Sequence, residues 1–175
     1  MKRLGAGVLA FCLLMLCGCS GGGAQKSIMY VDGDAYNLTP KEYIDLVNAS
    51  IEDQNADYPL IPAWDEDALS LEIDNRFIKL SIKTNENGKI TEIGYDWEIK
   101  SQKQTDAALF MAGLTIGMTA GAENSQSVYD ALEMTKTGVS SHINECDENG
   151  SHFYFISSGH GKYNSLNVYP TGKYE

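Results

Sequence analysis

Between residues 68 and 99, apolar and polar side chains take turns along the chain. Leu69, Leu71 and Ile73 alternate with Ser70 and Glu72. Ile78, Leu80 and Ile82 alternate with Lys79, Ser81 and Lys83. Ile93, Tyr95, Trp97 and Ile99 alternate with Glu92, Asp96 and Glu98. A period of two places one set on a buried face and the other in water, so three half-buried strands are predicted. Asp74-Asn75 and the Asn87-Gly88 region separate them and carry the residues that tight turns favour. The predicted unit is an antiparallel meander, with the lysines of its middle strand facing acids on its neighbours.

Upstream the period changes. Tyr43, Leu46, Val47 and Ile51 recur at helical spacing behind Thr39-Pro40-Lys41-Glu42. Thr39 suits an N-cap, Pro40 the first helical position and Glu42 the third, which closes a capping box. A helix is predicted over 40–53. Before it, Ser27 to Val31 reads as a short extended piece ended by Asp32-Gly33-Asp34. After it, Asn55 to Pro62 reads as a loop.

Downstream of Ser101, Thr105 or Asp106 is the expected cap of a helix running to about Thr119. That segment is apolar nearly all round, which predicts deep burial. Gly113, Gly117 and Gly121 recur every four residues and predict a groove that lets the helix sit close on a sheet. Ser125 opens a further helix carrying Val128, Tyr129, Leu132 and Met134, stopped by Gly138. Three more strands are predicted near 139–145, 152–157 and 165–169, joined by Asn149-Gly150 and by the glycine-rich Ser158–Asn164 loop.

Both halves thus read as helix, then three antiparallel strands. The predicted class is α+β: an antiparallel sheet of about six strands, helices packed on one face, and a possible duplication of the helix-then-three-strand plan. The arrangement is similar to the helix-then-meander repeats of the beta-lactamase-inhibitor-protein class and of TATA-binding-protein-like sheets. That similarity lies in the order of elements alone, and fold does not fix function.

The N-terminus has a different grammar. Lys2 and Arg3 precede an apolar run from Leu4 to Leu16, and then come Cys17, Gly18 and Cys19. Charge, apolar run and small residue in that order mark a secretory signal peptide. The run is shorter than the ~20 apolar residues that a membrane span needs. Leu16-Cys17-Gly18-Cys19 resembles the lipobox of bacterial lipoproteins, although Cys17 stands where that family commonly carries Ala, Ser or Thr. The resemblance covers about the first twenty residues. It implies that Cys19 receives a diacylglycerol, becomes the new N-terminus and fastens the chain to a membrane. Two acyl chains hold a protein far more stably than one. The domain plan read this way is a signal peptide over 1–18, a lipidated N-terminus and flexible tether over 19–27, and one globular α+β domain over 28–175. The implied location is the bacterial cell envelope, outside the cytoplasm.

Charge narrows the partners. The chain holds 13 basic and 24 acidic residues. Without Lys2 and Arg3 the imbalance grows by two. Such a surface is repelled by phosphate backbones, and no basic stripe offsets it, so nucleic acid is not an expected partner. Of the four cysteines, Cys12 and Cys17 leave with the signal and Cys19 is acylated. Cys146 remains as a lone thiol, expected to be buried and inert.

Candidate chemistry is sparse. His142 and Cys146 could suggest zinc, but on one strand residues four apart sit about 13 Å from each other. Asp32 and Asp34 begin like a calcium loop, yet Tyr36 and Asn37 stand where a ligand and a glycine are needed. Asp65-Glu66-Asp67 reads as a solvated turn. No G-x-S-x-G elbow is present, and the hydroxyls of Ser157 and Ser158 beside His160 lack a marked third group. No cofactor is implied. Ten tyrosines are present, and Tyr154, Tyr163, Tyr169 and Tyr174 cluster near the C-terminal strands. Tyrosine serves interfaces well. The expected function is therefore a module that binds an envelope or extracellular protein, with Tyr154, Tyr163, Tyr169 and His160 as its contact surface. The alternative is an envelope hydrolase or small-ligand carrier with a cleft near residues 158–164.

Overall fold

The structure is a computed structural model that describes residues 27–54, 57–68, 70–74, 76–99, 101–137, 139–159 and 163–172. Cys19, His160 and Tyr174 lie outside the described residues.

The chain opens with a two-stranded hairpin, β1 (Val31–Asp32) and β2 (Ala35–Tyr36), turned at Gly33 with φ 68°. Helix α1 spans Pro40–Asp53 and starts as its sequence directs. The Thr39 hydroxyl accepts from the Glu42 amide at 3.3 Å, and the Thr39 amide donates to the Glu42 carboxylate at 2.8 Å. Its buried stripe is Tyr43, Ile44, Val47 and Ile51. Strands β3 (Leu71–Ile73), β4 (Ile78–Thr84) and β5 (Ile90–Trp97) form the first meander. Lys79 pairs in register with Glu72 and Asp96, and Lys83 reaches Glu92 at 2.9 Å.

Helix α2 spans Gln102–Ala120 and begins one turn earlier than predicted. Ser101 is its cap, accepting from the Gln104 amide at 3.3 Å. The Thr105 hydroxyl instead donates back to the Ser101 carbonyl at 3.1 Å, as threonine inside a helix does. Fourteen of its residues are buried, Gly113 and Gly117 among them. No helix among the described residues is long and apolar enough to cross a membrane.

The predicted helix from Ser125 to Gly138 is broken. Helix α3 covers Ser125–Ala131, Glu133 turns left-handed at φ 53°, and a single 3₁₀ turn follows over Met134–Lys136. The break lets Leu132 and Met134, only two residues apart, both point into the core, where each is fully buried.

Strands β6 (Ser141–Glu148), β7 (Ser151–Ser158) and β8 (Asn164–Pro170) complete the second meander. Asn149 and Gly150 both have positive φ, 52° and 75°, so they make the two-residue turn whose twist matches an antiparallel pair. The two meanders meet at their last strands. The sheet order is β3-β4-β5-β8-β7-β6, antiparallel throughout. The class is therefore α+β, with a six-stranded antiparallel sheet and helices on one of its faces.

The covered face carries Leu80, Ile93, Tyr95, Trp97, Phe153, Phe155, Leu166 and Val168, all within the core. At its centre the layers are joined by hydroxyls. The Tyr43 hydroxyl of α1 lies 2.8 Å from that of Tyr95 on β5 and 2.6 Å from that of Thr115 on α2. Burial raises both phenols, Tyr43 to about 12 and Tyr95 well above its ordinary value.

Candidate interaction surface

Strand parity decides what the uncovered face displays. With Phe153, Phe155, Leu166 and Val168 turned inward, His152, Tyr154, Ile156, Ser165, Asn167 and Tyr169 must turn outward. β6 adds Ile143, Glu145 and Asp147, and β5 adds Glu92, Gly94 and Asp96.

Three of the four tyrosine-surface residues expected from sequence share this face. Tyr154 stands between Glu145 and Asn167 in register. Tyr169 pairs with His152, their rings 4.9 Å apart and tilted by 30°. Tyr163, just before β8, reaches across to β5 and donates its hydroxyl to Asp96 at 2.5 Å. Partial burial and then that bond hold its phenol above the usual range. Its backbone is fixed by Ser158, whose hydroxyl donates to the Tyr163 carbonyl at 2.6 Å and accepts from its amide at 3.0 Å. The fourth, His160, lies outside the described residues.

Between these rings the floor is formed by Ser81, Gly94 and Asn167. Gly94 sits at its centre, and a methyl there would lie 2.6 Å from the Ser81 hydroxyl and 2.9 Å from the Asn167 amide oxygen. Glycine is needed here for close approach, since its backbone is not left-handed.

Sequence reasoning missed the acidic rim of the surface. His152 donates from Nδ1 to Asp147 at 2.6 Å, and its Nε2 lies 3.8 Å from Glu145. The parity of β6 and β7 would have placed these three together. The Tyr163–Asp96 bond had no such signal, because it depends on β5 and β8 being neighbours.

Other candidates resolve differently. Ser157 and Ser158 point to opposite faces of β7, so their hydroxyls do not converge. Cys146 is a free, half-buried thiol, raised by burial and then by Asp147 and Glu148, which makes it a poor nucleophile at neutral pH. Asp34 accepts from the Asn85 amide at 3.2 Å, and Asp65 from the Asp67 amide at 3.0 Å, so both acidic stretches serve turns. Among the described residues no group of three or more His, Cys, Asp or Glu side chains could hold a metal ion.

On the covered face, one row across four strands reads Trp97, Asn164, Ser157 and His142. Among the described residues, the Trp97 indole N–H, both ends of the Asn164 amide and the His142 Nε2 are buried without a hydrogen-bond partner. The ring of Phe155 packs 5.9 Å from Trp97 and 5.5 Å from His142. This row lies at the Ser158–Asn164 end of the sheet.

No protein-family model matches this chain, and no curated protein or solved structure matches it.

Proposed function

We propose that the chain is a lipid-anchored extracytoplasmic module that binds another envelope or extracellular protein through the uncovered face of its sheet. One observation carries this reading: the helices cover one face only, and the other gathers Tyr154, Tyr163 and Tyr169 around a polar floor. Rigid aromatic rings lose little entropy on contact and combine apolar area with a polar tip, as interface anchors do. The acidic rim at Glu145 and Asp147 would favour a basic partner surface. The anchor itself rests on the likeness of residues 16–19 to a lipobox.

The direct test is photo-crosslinking at the native cell surface. A partner captured by the intact chain and lost from the Tyr154→Ala, Tyr163→Ala double variant supports the assignment. An unchanged capture pattern removes it. For the anchor, Cys19→Ser should abolish palmitate labelling and release the protein from the lipid fraction.

A second reading, a small-ligand carrier or hydrolase working near residues 158–164, draws support from the row of Trp97, Asn164 and His142, whose buried polar atoms find no partner among the described residues. Buried polar atoms without partners are costly, at about 1–3 kcal/mol each, and a small polar molecule could satisfy them. A high-resolution crystal structure with a non-water molecule bonded to Asn164 would favour this reading. Ordered water there would favour the first.

A further inference from the structure

The two edges of the sheet are unequal. β3 is three residues long and runs into a bend where Asp74 and Arg76 both have positive φ. The Arg76–Glu72 ion pair, 2.9 Å, stands over it. A short, bent, charged edge resists pairing with another chain. β6 has none of that brevity. It runs eight residues, Ser141–Glu148, and pairs along its whole length with β7, and among the described residues no strand pairs with its other side.

The turn fixes which backbone groups face outward. A two-residue hairpin closes on a hydrogen-bonded pair, here Glu148 and Ser151. Antiparallel ladders alternate, so Cys146, Asn144 and His142 also bond to β7. The N–H and C=O groups of Ile143, Glu145 and Asp147 must therefore point away from the sheet. Among the described residues none of these outward groups has a partner. Their side chains are exposed too: Ile143 is 62% accessible, and the Glu145 and Asp147 side chains are 64% and 58% accessible.

We propose that β6 takes up an extended basic segment of a partner protein as a seventh strand. The inference rests on the binding-module reading and deepens it, moving the main contact from the face to the edge. Main-chain bonds to Ile143, Glu145 and Asp147 supply the attachment, and the side chains supply the choice. Glu145, Asp147 and Glu148 lie on this edge, and the stretch from Ser141 to Ser151 holds no lysine or arginine. A second copy would bring two such acidic edges together and be repelled. A strand with Lys or Arg at alternate positions meets carboxylates directly opposite, and an apolar residue further along covers Ile143.

The test uses the full-length chain in detergent micelles and hydrogen–deuterium exchange read by mass spectrometry. The probe is a capped octapeptide of alternating Lys and Thr. Controls are a Glu/Thr version and a Lys/Thr version interrupted by proline. The expected result is exchange slowed about tenfold or more across 141–148 by the first peptide only. Glu145→Lys with Asp147→Lys should transfer the protection to the Glu/Thr peptide. Ile143→Pro removes an outward N–H without touching the β7 ladder, so it should leave the fold intact and weaken protection.

Equal protection by both charged peptides overturns the proposal. So does protection confined to the tyrosine face, or dimerisation that shields β6 without peptide. If β6 stays unprotected while Tyr154→Ala and Tyr163→Ala still abolish crosslinks, strand addition falls and the module reading stands. If crosslinks survive the tyrosine changes but vanish in Ile143→Pro, strand addition stands and the face assignment falls.

Discussion

On the covered face of the sheet, Tyr95, Trp97, Phe153, Phe155, Leu166 and Val168 are sealed beneath helices. The same strands carry Asp96, His152, Tyr154, Asn167 and Tyr169 on the other side. Consecutive residues thus serve opposite ends, one set holding the fold and the other displayed to solvent. The contrast teaches that substitutions one position apart along β7 should differ sharply in consequence. Inward changes should act on stability, and outward ones on recognition.

The sharpest break in that comparison is Phe155→Ala. Phe155 is fully buried and stacks on Trp97 at 5.9 Å. Its truncation should cost about 3–5 kcal/mol, seen as a lower urea midpoint with little change in slope. A cost under about 1 kcal/mol would mean that the face is not a packed core.

Alkaline pH probes the centre of the same face. Tyr43 is raised to about 12, and Tyr95 is raised well above its ordinary value, both by burial. A phenol whose folded pKa exceeds its unfolded one binds its proton more tightly in the native state. Its contribution is whole below about pH 10 and is lost as pH rises through the folded value. Stability should hold to about pH 10 and fall steadily from there toward pH 12, as the unfolded chain releases phenolic protons that the folded core keeps. Tyr43→Phe should flatten that fall in denaturant titrations at stepped pH.

Thr39→Ala removes a hydroxyl that caps α1 and should cost about 1 kcal/mol, read as a small downward shift in Tm. Smallest of all is Tyr154→Ala, next door to Phe155 but on the open face. It should move stability by less than about 0.5 kcal/mol while changing surface crosslinking. A larger loss would place Tyr154 among the residues that hold the fold together.

Much of this architecture was legible because its signals are local. The capping box at Thr39 and Glu42, the alternation in β4 and β5, and the Asn149-Gly150 turn each fit within a few residues. What escaped depends on neighbours distant in sequence. The cap of α2 at Ser101 was misplaced because Thr105 looks like a cap but bonds backward along the helix. The left-handed break at Glu133 answers to core packing around Leu132 and Met134. β2 is two residues long and is held by Tyr36, whose hydroxyl donates to Ser151 at 3.1 Å, 115 positions away. The tyrosine surface was half visible: the sequence clusters Tyr154, Tyr163 and Tyr169 near the C-terminal strands, but only the β7–β8 register puts Tyr154 and Tyr169 on one face, and only the adjacency of β5 and β8 brings Asp96 under Tyr163.

The first described residues are moored at one end of the strands. The Asn149 amide donates to the Ser27 hydroxyl at 2.8 Å, and the Met29 amide donates to the Met118 carbonyl at 3.0 Å. Tyr163 and the Ser158 corner sit at the far end of β7, eight residues and about 26 Å away. If Cys19 is the anchor, the chain from it enters the domain at the end of the strands opposite Tyr163. Tyr163 then sits at the end of the sheet remote from the attachment point, where a tethered domain leaves it free to be met.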